Sequence, residues 1–316
     1  MEHRQPLTID EVQGATRPLL GGRASARLLE AKHRNQVFAI GEQAIFKAYL
    51  CDGAATRQAR KVATLRFLEG RGLPVPRLLG HGVLPKGPSG VPWTLETRVV
   101  AGHVRPTRAE LDTPQGWEFH RALGRWLPTL HAFDGFPCFG TWDANGPATL
   151  AAQVLPRAGT VRAQTAGLHG APQTLLRRAG QELDRLEPAI RAADRLRPRL
   201  LHGDYGSSNV AVGRTADGRV GVVAVFDFES AAPGDPVEDL LWTADHGLES
   251  RIFRSFVAGY LEQGRLDPDA PERFAFYQLE HCLDVLGWAR DADPEWFAQA
   301  QWLIEQVLDG VRLRLV

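Results

Sequence analysis

Cysteine is scarce, with three in 316 residues. Cys51, Cys138 and Cys282 stand far apart and form no CxxC pair, which speaks against a disulfide framework and against a zinc knuckle. No uninterrupted apolar run approaches the roughly 20 residues that cross a bilayer. The opening MEHRQPLTIDEV lacks the basic-then-apolar pattern of a secretory signal, so a cytoplasmic protein is expected. Lysine is rare among the 37 cationic residues, an arginine bias of the kind a GC-rich genome produces and without functional weight. There is no continuous basic stripe with interleaved aromatics, which argues against a nucleic-acid partner, and no internal repeat.

What is present is an ordinary globular composition, 44% apolar and 23% charged, in a chain long enough for two lobes. The zero net charge conceals an asymmetry. From Asp227 to Val316 there are 18 acidic residues against 7 arginines, a balance of −11, and residues 1–226 carry +11. Such halves focus field toward ligands of opposite sign: a phosphate-bearing ligand suits the first and a cationic one the second. The plainer reading is scattered surface charge.

Along the chain, the pattern predicts a helix from Thr8 to Leu20, stopped by Gly21-Gly22. Strand-like runs follow at 26–31, 36–40 and 44–50, the first two joined by Lys32-His33-Arg34-Asn35, spaced as an antiparallel meander. A helix is expected over 54–69 and a strand over 91–100. Residues 115–132 read as a helix that Pro128 should bend or interrupt. The stretch 135–172, rich in Gly, Pro and Ala, reads as loops, and 173–197 as helix. A short loop motif at 201–210 opens a hairpin with an Asp217-Gly218 turn. From about 236 the chain is amphipathic helix in three or four segments. The expectation is an α+β protein: a small antiparallel-sheet lobe, residues 1–101, and a larger, mostly helical lobe, residues 102–316.

The informative segment is LLHGDYGSSNVAV, followed by VVAVFDFESAAPGDPVEDLLW. Phosphoryl transfer needs a carboxylate aimed at the acceptor hydroxyl and hard oxygen ligands holding Mg²⁺ against the phosphates. Asp204 follows His202-Gly203 in a loop, Asn209 comes five residues later where the hairpin begins, and Asp227 ends the hairpin's second strand. Folding the hairpin back would bring the three to one mouth. In order, spacing and strand context, the set resembles the Brenner-type loop of the aminoglycoside phosphotransferase family, whose fold is that of protein kinases. The resemblance runs from about residue 26 to 316 and includes LGRWLPTLHAF, similar to a family helix ending in Leu-His.

The resemblance implies that Asp204 is the catalytic base, that Asn209 and Asp227 hold Mg²⁺, and that Asp239, in the family's GDPxxDL pattern, braces the loop. Asp227-Phe228-Glu229 stands where protein kinases have Asp-Phe-Gly. His202 admits two roles, a catalytic acid or a packed support for the loop; support is favoured because Asp204 already supplies a base. Lys47 lies in an apolar strand run where an unpaired cation is costly, and resembles the third-strand lysine that contacts the α/β-phosphates. Arg34 and Asn35 occupy the phosphate-covering loop, without a GxGxxG, and Thr97, Arg98, Val99 and Val100 the hinge that meets the base of ATP or GTP. One departure stands out: Lys61, or neighbouring Arg60, falls where family members carry the glutamate that pairs with the third-strand lysine. Either the register differs, another acid such as Glu69 serves, or the pair is absent.

The acceptor is expected over the catalytic loop, against acidic C-terminal helices, with Asp245, Glu249, Glu280 and Asp284 as candidate contacts. An acidic wall favours a cationic acceptor, so the first reading is an antibiotic kinase acting on an aminoglycoside, basic peptide or nucleoside antibiotic. A metabolic kinase of a sugar, choline-like alcohol or amino-alcohol is the second. A catalytically silent nucleotide-binding relative is the third, and the intact Asp204, Asn209 and Asp227 argue against it.

Overall fold

The first helix, α1 (Ile9–Leu20), begins with a capping box in which the Thr8 hydroxyl accepts from Glu11 N while the Glu11 carboxylate accepts from Thr8 N at 2.7 Å. It ends on Gly21 in the left-handed conformation. The computed structural model describes residues 5–22, 25–32, 34–99, 106–107, 109–214 and 220–315. The hinge residue Val100, the proposed lobe boundary near 101 and the Asp217-Gly218 turn lie outside them.

Five strands follow α1 around one helix: β1 (Ala26–Ala31), β2 (Asn35–Ile40), β3 (Ala44–Tyr49), helix α2 (Ala54–Leu68), β4 (Leu78–Leu84) and β5 (Val91–Thr97). They form one antiparallel sheet in the order β1-β2-β3-β5-β4. β3 and β5 lie inside and are buried nearly throughout, with Phe46 stacked on Trp93 at 5.2 Å between centroids. The sequence reading passed over β4 because Gly80 and Gly82 weaken its strand signal. Packing explains Gly82, where a Cβ would meet the Trp93 ring at 2.9 Å, whereas one at Gly80 would meet only the tip of the exposed Leu19 side chain.

The remaining elements are α3 (Pro114–His131), α4 (Leu150–Thr165), α5 (Gln173–Ala192), β6 (Arg199–Leu201), β7 (Val210–Arg214), β8 (Val220–Val225), β9 (Ala232–Gly234), α6 (Leu241–Ala244), α7 (Arg251–Gln263), α8 (Ala270–Ala292) and α9 (Pro294–Leu308). β7 pairs with β8, and β6 with β9. α3 continues through Pro128 without interruption and packs on α7. That packing is close: a Cβ at Gly124 would sit 1.9 Å from the Phe256 carbonyl oxygen, and one at Gly259 would sit 2.1 Å from that of Arg121. Helix α4 occupies the middle of 135–172, and the loops expected in that stretch lie on either side of it. Pro156 and Gly159 mask the periodicity, but Thr149 caps Ala152 N, and Leu150, Val154, Ala158, Val161 and Thr165 form one buried stripe.

The chain divides into two compact units. One comprises Met1–His103 with Asn209–Gly213 and Val223–Ala231; the other comprises Val104–Ser208, Arg214–Val222 and Ala232–Val316. Among the described residues, no helix is long and apolar enough to cross a membrane.

Candidate active site

In the first unit, β3 carries Lys47 inward, opposite Val37 of β2 and Thr94 of β5. Its side chain is 7% exposed, a position that demands counter-ions. Two acids 180 and 182 residues along the chain supply them. Lys47 Nζ donates to Asp227 Oδ1 at 2.7 Å and Oδ2 at 2.8 Å, and lies 2.5 Å from Glu229 Oε2. Burial pulls the ammonium pKa down and Lys61 repels it, but the Asp227 and Glu229 carboxylates prevail and the net shift is upward.

Asp227 is the one non-glycine among the described residues with a positive φ, 69°. A left-handed residue of this kind, in a sheet-to-helix corner, is a strained conformation of the sort that clusters at functional positions. Asn209 adjoins it through the backbone, its carbonyl accepting from Phe226 N at 3.0 Å. An amide oxygen and a carboxylate are hard donors that suit Mg²⁺, which takes few protein ligands and completes its shell with phosphates and water. The donor set therefore fits the metal that the sequence implies.

In helix α2 the buried residues include Ala54, Lys61 and Leu68, so Lys61 faces inward. Lys61 Nζ pairs with Glu96 Oε1 on β5 at 2.8 Å and lies 4.0 Å from Asp227 Oδ1. Burial lowers its pKa, Glu96 and Asp227 raise it, and the net is upward. Glu69 is exposed at the end of α2. The acids around Lys47 thus come from the segment after β8, with Arg57 of α2 binding Glu229 Oε1 at 3.0 Å. Glu96 and Arg57 went unnoticed in the sequence, although a glutamate inside the apolar strand WTLET is itself a signal, and Glu229 was noted only as standing in the place of the Asp-Phe-Gly glycine.

Of the other nucleotide candidates, Asn35 opens β2 and exchanges backbone hydrogen bonds with Lys32, and Arg34 is exposed. Thr97 accepts from Arg77 N at 2.9 Å, Arg98 N donates to Gln43 O at 2.7 Å, and Val99 is partly buried.

In the second unit, β6 leads into the His202-Gly203-Asp204 loop, with Gly203 at φ 75°. The Asp239 carboxylate, wholly buried, holds this loop. Its Oδ2 accepts from His202 N at 2.8 Å and lies 3.0 Å from His131 Nε2, and its Oδ1 accepts from Gly203 N at 2.7 Å. His202 is buried, and its Nδ1 accepts from Asp204 N at 3.2 Å. His131, at the end of α3, also contacts the Tyr260 hydroxyl at 3.0 Å. Asp235 anchors the following turn to α8, accepting from Arg273 Nε at 2.7 Å and from the Tyr277 hydroxyl at 3.0 Å.

The acidic candidates separate by environment. Asp245 is partly buried, its Oδ1 has no hydrogen-bond partner among the described residues, and its pKa is pushed up to about 7 by burial and then by Asp204. Glu280 is buried and bound at both oxygens by Arg157, which also reaches Glu238 at 2.7 Å. Burial raises the Glu280 pKa against the pull of Arg157. Asp284 is exposed on α8, and Glu249 is exposed with Arg314 at 3.2 Å. Trp242 meets His281 edge-on at 5.2 Å.

Comparison with known proteins accords with this arrangement. Aminoglycoside phosphotransferase APH(4)-Ia is 19% identical, over 96% of this chain and 99% of that one, with a TM-score of 0.69. A thermostable mutant of it, solved as a ternary complex with AMP-PNP and hygromycin B, gives 20% identity, 95% and 98% coverage and 0.68. The wild-type aminoglycoside 2'-phosphotransferase-IIIa GDP complex is 16% identical over 96% and 99%, with a TM-score of 0.65. These likenesses establish a protein-kinase-like fold. A sequence profile described as the phosphotransferase enzyme family matches residues 25–277. With most of its length inside that profile, the chain belongs to the phosphotransferase enzyme family of the aminoglycoside phosphotransferases, and is a phosphotransferase.

Proposed function

We propose that the protein transfers the γ-phosphoryl group of ATP or GTP to a hydroxyl of a cationic antibiotic, and so confers resistance in the cytoplasm. The observation that carries the kinase reading is the bidentate contact of Lys47 with Asp227, which joins the third strand to the residue the resemblance assigns to Mg²⁺. Lys47 binds the α/β-phosphates, and Arg34, Asn35 and the backbone of 97–100 frame the rest of the nucleotide. Asn209 and Asp227 hold Mg²⁺, which when bound neutralises charge on the phosphates.

Asp204 accepts the proton of the acceptor hydroxyl as that oxygen bonds to the γ-phosphorus. The bond from the γ-phosphorus to the bridging oxygen breaks, and the nucleoside diphosphate leaves with the electron pair. His202 positions the loop: its ring is buried, and its Nδ1 is engaged by Asp204 N. Asp239 fixes the same turn through His202 N and Gly203 N.

The antibiotic acceptor is supported by the acidic excess of residues 227–316 and by Asp245, whose pKa burial and then Asp204 raise; Glu280 and Glu249 are already paired with Arg157 and Arg314. An antibiotic acceptor also matches two structural relatives, the APH(4)-Ia mutant solved with AMP-PNP and hygromycin B and APH(2")-IIia solved with GDP and kanamycin. Mass spectrometry of the protein with Mg²⁺, ATP or GTP and a panel of aminoglycosides, basic peptides, nucleoside antibiotics, choline and sugars tests the reading. One added phosphoryl group on an antibiotic, lost in Asp204→Ala and after chelation, is expected. Phosphorylation of only choline or a sugar would make the enzyme metabolic. Undiminished turnover in Asp204→Ala would remove the base assignment.

A further inference from the structure

Helix α2 presents the sheet with the charge opposite to the one expected there, and the acid meeting Lys47 is delivered from elsewhere in the same unit. Glu229 is 8% exposed and wedged between two cations, Oε2 at 2.5 Å from Lys47 Nζ and Oε1 at 3.0 Å from Arg57 Nη1. Arg57 lies one helical turn before Lys61, whose own charge is taken by Glu96. Protein kinases have glycine at the third position of this segment, with no side chain to reach the lysine. Here a carboxylate occupies it.

The arrangement answers an electrostatic problem. Lys47 has two carboxylates, Asp227 and Glu229. Were Asp227 to give its oxygens to a divalent cation, the buried ammonium beside Lys61 would lose one of them, and stripping partners from a buried charge is strongly unfavourable. Glu229 is the acid of this cluster that still faces Lys47, and Arg57 fixes the rotamer that keeps it there.

We propose that Glu229 is a positioning residue that holds Lys47 toward the nucleotide phosphates, itself anchored by Arg57. The acid of the lysine–acid pair thus comes from the segment after β8, while α2 supplies the cation behind it. The proposal rests on the reading of Lys47 as a phosphate ligand.

Titration calorimetry with ADP, with and without Mg²⁺, tests it on the full chain, alongside melting temperatures. Lys47→Met should weaken ADP binding. Glu229→Gln should weaken it by about tenfold with Mg²⁺ and by less without it, since Asp227 then still faces Lys47, and Glu229→Asp should weaken it less than Glu229→Gln. Arg57→Gln should weaken binding alone yet add less than about twofold to Glu229→Gln, because the two act in series. Glu229→Gln binding ADP like wild type while Lys47→Met does not would overturn the proposal and leave the Lys47 reading standing. A Glu229→Gln loss of the same size in a Lys47→Met background would put Glu229 on the metal and also overturn it, as would Arg57 and Glu229 effects that simply multiply. Wild-type affinity in Lys47→Met would sink the Lys47 reading and the proposal together. If Glu229→Gln does not fold, Glu229→Asp and Arg57→Gln decide by the same criteria.

Discussion

Lys61 on α2 and Glu96 on β5 form a buried ion pair, Nζ to Oε1 2.8 Å, with side chains 1% and 8% exposed. Such a pair is worth little against an apolar replacement of both partners but much against removal of one. Lys61→Met, which strands the Glu96 carboxylate, should therefore cost about 3–5 kcal/mol of unfolding free energy. Lys61→Met combined with Glu96→Leu should recover most of it. Urea unfolding of the two variants checks this; a double variant no more stable than the single one would contradict it.

Asp239 holds the catalytic loop by two backbone N–H groups and one imidazole. Asp239→Ala leaves His202 N and Gly203 N without their buried acceptor. It should lower stability by about 2–5 kcal/mol and reduce turnover as well. A variant with an unchanged melting temperature would show that the loop does not depend on this carboxylate.

Asp227 sits at φ 69°, where a Cβ is unfavourable. Asp227→Ala and Asp227→Gly both remove the carboxylate and should both lose phosphoryl transfer. The glycine variant should nevertheless be more stable by about 1 kcal/mol, because only the alanine keeps the Cβ strain. Equal stabilities in thermal denaturation would mean that the left-handed turn relaxes without the aspartate.

Asp245 gives a pH dependence whose sign follows from its environment. Its folded pKa, pushed up to about 7 by burial and then by Asp204, exceeds the ordinary aspartate value of 3.8. The folded state therefore binds the proton more tightly than the unfolded chain, and this contribution is full below pH 3.8 and lost as pH rises through about 7. Asp245→Asn carries no charge at any pH. Its melting-temperature advantage over wild type should grow from pH 5 to pH 7 and level off above that. A constant difference across the range would place the carboxyl in a solvated site.

The family and the order of the candidate site residues were legible without coordinates, because phosphoryl transfer needs particular atoms at fixed chain spacing. Asp204, Asn209, Asp227 and the Gly234-Asp235-Pro236 turn declare themselves as a string. The antiparallel meander was legible too, since strand alternation and turn residues are local properties. β4 and α4 were not: Gly80, Gly82, Pro156 and Gly159 lower local propensity, and contacts from distant residues restore the element.

The sequence by itself placed Lys47 in an apolar strand run and a cation, Lys61 or Arg60, where the family glutamate is expected. Periodicity fixes which face a side chain takes, and composition shows which charge it bears. Only the tertiary structure decided which acids meet these cations. Glu96 comes from the neighbouring region of the sheet, and Asp227 and Glu229 from 180 residues away. Ion pairing depends on distance in space, and chain order carries no record of it.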